Sequence, residues 1–222
     1  MSFDDGKPDD VSALDGIIPV SRETGQRLEQ FVDLLRKWQS ADNLVGRGTL
    51  SSVWRRHVAD SAQLLKFFPD SRIWLDIGSG AGFPGLVVAI LLAETPGSLV
   101  HLVESNTRKC AFLRQAIRQT GAPAKVHNGR IEAILTDWSE PVDMISARAL
   151  APLDRLISLA EPLFSAGVRG AIHKGQDFAR EIEETAKSWV VDLVKHQSLT
   201  DERGVILEIR HVARRPHPAN GV

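Results

Sequence analysis

Hydrophobic positions follow two periods along the chain. Leu28, Phe31, Val32, Leu35 and Trp38 recur at i, i+3, i+4, i+7 and i+10, the stripe of an amphipathic helix, and Ser21 is placed to cap it. A polar, glycine-containing stretch at 40–49 separates it from a second helical pattern through Trp54, Val58, Ala62 and Leu65, bounded by Pro69. Residues 16–69 thus read as a small helical cap. Beyond Pro69 the period shortens. Apolar runs at 73–77, 99–104, 124–127, 142–146 and 168–173 predict buried strands, with helical patterns at 86–93, 109–119, 131–135 and 153–164 between them. Such alternation predicts βαβ units and a parallel sheet. A last helix near 178–188 precedes two runs, 190–197 and 205–212, joined by a charged turn containing Gly204. That is a hairpin signal, so the sheet is predicted to end in an antiparallel strand.

A mostly parallel, doubly wound α/β sheet closing on a C-terminal antiparallel hairpin is the pattern of the Rossmann-like class I methyltransferase fold, expected here over residues 70–215. Residues 1–15 are Asp-rich and read as a disordered tail, and 216–222 as a second tail. The 222 residues suit one large domain with an appendage and need no covalent staple. Cys110 is the single cysteine, which excludes an intrachain disulfide and any multi-cysteine zinc site; no metal-ligating set is expected. With 27 Lys+Arg against 28 Asp+Glu the chain has no uniformly basic coat, so any nucleic-acid footprint must be local. The longest apolar run, 86–93, is far short of the ~20 residues of a membrane span. The acidic N-terminus lacks a secretory h-region. A soluble cytoplasmic protein, without membrane contact and monomeric, is expected.

The richest segment is Asp76-Ile77-Gly78-Ser79-Gly80-Ala81-Gly82-Phe83-Pro84-Gly85, where the first strand gives way to a helix. In open α/β sheets a ligand binds beyond the carboxyl ends of the strands, where backbone must approach it closely. Gly80, Gly82 and Gly85 satisfy the dinucleotide fingerprint, with Glu104 about 20 residues on. Three features favour S-adenosylmethionine instead: Asp76 with the additional Gly78-Ser79 pair, some seventy residues preceding the strand, and no second catalytic domain. A nicotinamide nucleotide remains the alternative. Glu104 ends the second strand and is placed to accept from both ribose hydroxyls. Asn128-Gly129-Arg130-Ile131-Glu132 opens a helix whose unpaired amides suit an adenine edge, with Ile131 against its face.

Several elements occur together in one order: Trp38-Gln39, Asn43-Leu44, Arg56-His57-Val58-Ala59-Asp60-Ser61, the glycine turn, Val103-Glu104-Ser105-Asn106 with Lys109, Phe112-Leu113-Arg114, Gly129-Arg130-Ile131-Glu132, Ser146-Ala147-Arg148-Ala149 and His173-Lys174-Gly175. From about residue 20 to 212 the chain resembles the bacterial small-subunit ribosomal RNA methyltransferase family, also called the glucose-inhibited division protein B family (RsmG). The resemblance implies methyl transfer from S-adenosylmethionine to a guanine N7 of 16S rRNA. It places cofactor contacts on Gly78, Phe83, Ile131, Glu132 and Arg148, and basic residues near the target at Lys109, Arg130, Arg148 and Lys174. Gln39 and Val45-Gly46 depart from the Asn and Thr-type residues of the family pattern.

The chemistry fits the residues. Guanine N7 carries a free in-plane lone pair, so it needs no general base, and alignment supplies most of the acceleration. After the fourth strand the chain has Ser146-Ala147-Arg148-Ala149, not the Asn/Asp-Pro-Pro-aromatic of exocyclic-amine methylases. Cys110 falls in a helical pattern and reads as a small core residue, not the nucleophile of a pyrimidine C5 enzyme. Arg148, directly after the strand, is the expected catalytic residue, through guanine O6, a phosphate or the cofactor carboxylate; an ion pair with a nearby acid is its plainer role. Expected cofactor contacts are therefore Asp76, Gly78, Ser79, Gly80, Gly82, Phe83, Glu104, Ile131, Glu132 and Arg148. Substrate contacts are expected at His57, Lys109, Arg130 and Lys174. Basic patches at Arg55-Arg56-His57, at Arg108-Lys109 with Arg114 and Arg118, and at Arg210-His211 with Arg214-Arg215 are candidate RNA contacts, with an assembled 30S subunit as the expected partner.

Overall fold

The stripe beginning at Leu28 becomes helix α1, Arg22–Asp42, in the computed structural model, which describes residues 8–42 and 44–216. Ser21 caps it: its hydroxyl accepts from the Thr24 amide at 3.1 Å. Leu28, Phe31, Val32 and Leu35 are buried. Gln39 clasps the next loop by two hydrogen bonds to Val45, its side-chain amide donating to the carbonyl at 2.8 Å and its side-chain carbonyl accepting from the N–H at 2.9 Å. The departure from the family pattern at these positions is thus a self-consistent pair.

The N-terminal tail is shorter than predicted at its inner end. Residues 1–7 lie outside the described residues, as do 217–222. Val11–Leu14, however, forms a 3₁₀ turn capped by Asp10, Leu14 is buried, and Asp9 accepts from the Trp54 and Arg55 amides at 3.2 Å. An Asp-rich composition reads as a solvated tail, whereas these two acids satisfy amides at helix starts. The second helical pattern begins as a π-helix, Trp54–Ala59, and continues as α2, Asp60–Phe67.

One seven-stranded sheet follows: β1 (Ile73–Ile77), β2 (Leu99–Glu104), β3 (Ala124–Asn128), β4 (Met144–Arg148), β5 (Arg169–Lys174), β6 (Trp189–Gln197) and β7 (Val205–Arg214). Their order is β3-β2-β1-β4-β5-β7-β6. The first five are parallel, and β7 runs antiparallel to both β5 and β6. The predicted C-terminal antiparallel hairpin is thus present as β6 and β7, with β7 second from the edge and β6 outermost. Burial explains the choice: Val205 to Ile209 is continuously buried, whereas β6 alternates and tolerates an edge. Strand β4 starts two residues later than predicted because Asp143 is spent as a cap, its carboxylate accepting from the Arg72 and Ile73 amides at 2.9 Å each. Arg148 is consequently the last residue of β4, not the first after it.

Helices α3 (Gly85–Leu91) and α4 (Thr107–Thr120) pack with α1 and α2 over one face, around Trp74, Val100 and Leu102. Helices α5 (Ile131–Thr136), α6 (Leu153–Ser165) and α7 (Phe178–Thr185) lie with the other, around Leu75, Val103 and Ile145. Among the described residues no helix is long and apolar enough to cross a membrane. The carboxyl ends of β1 to β5 and the start of α2 share one mouth.

Candidate active site

Between β1 and α3 the chain turns tightly enough that side chains are excluded at several points. A Cβ on Gly78 would stand 2.6 Å from Leu150 Cδ1, on Gly82 2.9 Å from Leu86, and on Gly85 2.5 Å from Asp76. Those three glycines serve packing. Gly80 differs: its φ of +56° is left-handed like those of Gly78 and Gly82, but beyond its own turn nothing stands in front of it. Its N–H donates to Glu104 Oε2 at 2.9 Å, while Glu104 Oε1 accepts from the Asn106 amide at 2.7 Å. Glu104 and Gly80 are thereby locked into one surface, and each carboxylate oxygen keeps lone-pair capacity.

Three expected cofactor contacts make hydrogen bonds within the sheet and the turn. Asp76 is fully buried and accepts from the Ser146 hydroxyl at 2.7 Å; burial pushes its pKa up to about 6, against the pull of that hydrogen bond. Ser79 is buried, its hydroxyl donating to the Asp76 carbonyl at 3.0 Å and its N–H to Val103 at 3.0 Å. The Gly82 N–H donates to the Ser79 carbonyl at 2.7 Å. Strand alternation and turn closure commit these groups to bracing. Gly78 also spends its N–H, on Val103 at 2.9 Å, and meets the mouth only through its Cα.

Phe83 is buried and fastens the turn to the cap. Its ring stacks on His57, 4.9 Å between centroids and 28° between planes, and meets Phe31 at 5.4 Å. Arg148 lies over the same ring at 5.2 Å. Its Nη1 donates to Asp60 Oδ2 at 3.0 Å and to the Arg56 carbonyl at 3.1 Å, and its Nη2 donates to His57 Nδ1 at 2.8 Å. An arginine only donates, so Nδ1 is the acceptor and the other ring nitrogen carries the proton, bonding Thr49 Oγ1 at 2.8 Å. Burial, then the adjacent Arg148 charge, lowers the His57 pKa to about 4, so the ring is neutral. Burial alone would raise the Asp60 carboxyl, but His173 and Arg148 beside it, with the Thr200 hydroxyl, hold it below its ordinary value. The acid partner foreseen for Arg148 is therefore Asp60, and the π-helix is what aims the His57 ring and the Arg56 carbonyl at one guanidinium. No periodicity signals that: the sequence marks Asp60 only within the element at 56–61, and Thr49 not at all.

A cavity of about 470 Å³ opens beside Arg148 at the ends of β4 and β5, walled by Asp60, Leu150, His173, Lys174 and Asp201. It does not extend over Gly80 and Glu104. The mouth thus has two halves, with Arg148 at the boundary. Lys174 is paired within the wall: its ammonium donates to Glu181 Oε2 and to the Ala151 carbonyl, at 2.6 and 2.8 Å. Its role as drawn is to hold the loop after β4. Ile131 is half-buried at the start of α5; Glu132 is exposed and paired with Arg155 at 2.6 Å. Arg130 and Lys109 begin α5 and α4, at the β3 and β2 ends of the mouth.

The basic patches separate. Arg55-Arg56 and Arg108-Lys109 lie at the mouth, but the patch from Arg210 to Arg215 follows β7 toward the opposite end of the sheet. There Arg210 pairs with Glu208 at 3.0 Å and Arg214 covers the Trp189 ring at 4.7 Å. Cys110 is buried and donates to the Glu104 carbonyl, with its pKa raised by burial. It is a core residue.

Solved structures share this fold. The O-methyltransferase TomG from Streptomyces achromogenes, in complex with SAM, superposes with a TM-score of 0.60 at 14% identity, over 95% of this chain and 100% of that one. An O-methyltransferase from Bacillus cereus in complex with SAH gives 0.55 at 16%, over 90% and 96%. The likeness establishes the architecture. Closer in sequence is "Ribosomal RNA small subunit methyltransferase G" of a Bradyrhizobium species, 49% identical over 205 residues, covering 92% of each chain. That of Parvibaculum lavamentivorans is 50% identical over 202 residues, covering 90% of this chain and 89% of its own. Residues 24–212 match the model of the rRNA small subunit methyltransferase G family, and the chain belongs to that family.

Proposed function

We propose that this protein transfers the methyl group of S-adenosylmethionine to N7 of a guanine in small-subunit ribosomal RNA, acting as a cytoplasmic monomer on the assembled 30S particle. Family membership supports the reaction and argues against the nicotinamide alternative. The observation that carries the site assignment is the Gly80–Glu104 surface: a buried carboxylate with spare acceptor capacity beside a backbone with no side chain in front of it. Those residues fit a ribose, and Ile131 with the uncapped start of α5 fits an adenine.

Once bound, the cofactor supplies an electrophilic methyl group. The chain supplies placement. Three donor sites of Arg148 are used by Asp60, Arg56 and His57, leaving Nε–H and one Nη2–H for a target base. Those donors suit guanine O6, which leaves N7 unprotonated and unblocked. His57 has its lone pair filled by Arg148, so it takes no proton during transfer; it holds the arginine at a fixed angle. The neighbouring cavity receives the base, and Arg130 and Lys109 are left to meet phosphates as point charges.

The decisive experiment incubates the protein with radiolabelled methyl donor and unmethylated 30S subunits, then maps the label by nuclease digestion. One labelled guanine, methylated at N7, is expected. Cofactor binding without labelled RNA would instead leave a non-catalytic ribosome-binding factor, and tight NAD binding without S-adenosylhomocysteine binding an oxidoreductase.

A further inference from the structure

We infer that His101, His127 and Glu140 form a divalent-metal site, with the donor chemistry of zinc, on the sheet face that carries α5. His101 lies in β2 and His127 in β3, and the two-residue alternation of β3 puts Lys125 and His127 on one side of the sheet. One donor atom from each of the three residues lies within 4.8 Å of the other two. His101 Nδ1 and His127 Nε2 are 3.0 Å apart. At most one proton fits between them, so at least one of the pair is an unprotonated acceptor, whose lone pair an ion could take in place of that proton. His101 is fully buried, and its other nitrogen, Nε2, has no hydrogen-bond partner; it stands 3.6 Å from Glu140 Oε2. An unpartnered nitrogen in the interior is costly unless something else occupies its lone pair or takes its proton.

The surroundings are built around these donors. Trp138 stands edge-on to both imidazoles, with centroids at 4.9 and 5.1 Å. Its Nε1 donates to the Glu140 carbonyl at 2.8 Å, which fixes the segment bearing the carboxylate. A cation already sits there: the Lys125 ammonium is 2.6 Å from Glu140 Oε1, on a side chain that is 55% exposed and free to swing into water. Two imidazoles and one carboxylate suit Zn²⁺, with water as a fourth ligand, whereas Mg²⁺ and Ca²⁺ prefer all-oxygen sets. His127 directly precedes Asn128, whose side-chain amide donates to the Glu104 and Ser105 carbonyls at 3.2 and 3.3 Å. An ion here would pin β2 to β3 just behind the Glu104 surface.

The test uses the full chain, freed of metal with a chelator and titrated with Zn²⁺ by calorimetry and with Co²⁺ by visible absorption. One equivalent of each is expected, cobalt giving the bands of a four-coordinate site. Glu140→Gln and His127→Ala, checked for folding by circular dichroism, should each weaken binding by roughly tenfold or more. Lys125→Met removes the competing ammonium and should tighten it. Absence of saturable binding overturns the inference, as does an affinity undiminished in both ligand variants. An affinity unchanged in Glu140→Gln alone removes Glu140 from the ligand set and with it the three-donor site.

Discussion

Arg148 and Asp60 are 88 residues apart in sequence and 3.0 Å apart in space, joining the end of β4 to the first residue of α2. Both are largely buried, so the pair behaves as an interior clamp with the cap above it. Arg148→Ala should lower methyl transfer by about 10²-fold or more. Asp60→Asn keeps a hydrogen-bond acceptor but removes the charge, and transfer should fall about tenfold, or about 1.4 kcal/mol of barrier. Single-turnover assays alongside circular dichroism check both, and near-normal turnover by Arg148→Ala would remove the residue from the mechanism.

The Gly80–Glu104 surface predicts how cofactor affinity responds. Glu104→Gln loses charge-assisted bonding worth about 1.5–3 kcal/mol, so S-adenosylhomocysteine should bind roughly 10- to 100-fold more weakly by calorimetry. Gly80→Ala meets no clash but must hold φ near +56°, and should also weaken binding.

Gly85 makes the opposite kind of prediction. A methyl there would stand 2.5 Å from the Asp76 Cβ, so Gly85→Ala should destabilise the whole fold by about 1–3 kcal/mol. Denaturant unfolding would show it, and a variant as stable as the parent would disprove the tight packing of turn on strand.

Two buried groups give the stability a readable pH dependence. The His57 pKa falls from 6.5 to about 4 on folding, so below 6.5 the unfolded chain binds the extra proton and stability declines as pH drops toward 4. Asp76 works the other way: raised from 3.8 to about 6, it takes up a proton in the folded state first and gains stability as pH falls through that window. Asp76→Asn removes only the second effect. Its stability should therefore fall more steeply than the parent's between pH 6 and 4, by up to about 1.4 kcal/mol per pH unit. Equal slopes would contradict the assignment.

Much of this was readable from residue order because the local signals agree with the fold. The α1 stripe, the buried runs of β1 and β2 and the turn from Gly78 to Gly85 carry their own periodicity and glycine chemistry. What escaped depends on contacts between distant segments. Asp143 reads as a loop acid, yet by capping β1 it moves β4 and so places Arg148 inside the strand. Asp76 looks like a ligand residue from spacing, and the close packing of Gly85 against it has no mark in the sequence. Asp60 is marked only as part of the element at 56–61; its role comes from Arg148, His173 and Thr200, which meet it across the mouth.

The last of those partners has a bearing on biosynthesis. Gln63 and Asp60 reach residues 198–200, with Gln63 accepting from the Leu199 amide at 2.9 Å and Asp60 from the Thr200 hydroxyl at 2.8 Å. The segment they grip leads into β7, which inserts between β5 and β6. The half of the mouth around Glu104 comes from residues up to 136, whereas the cavity beside Arg148 takes its far wall from Ser198, Asp201 and Gly204, which are made much later. If the two halves hold cofactor and base as proposed, a nascent chain carries every residue of the first before it has the wall of the second.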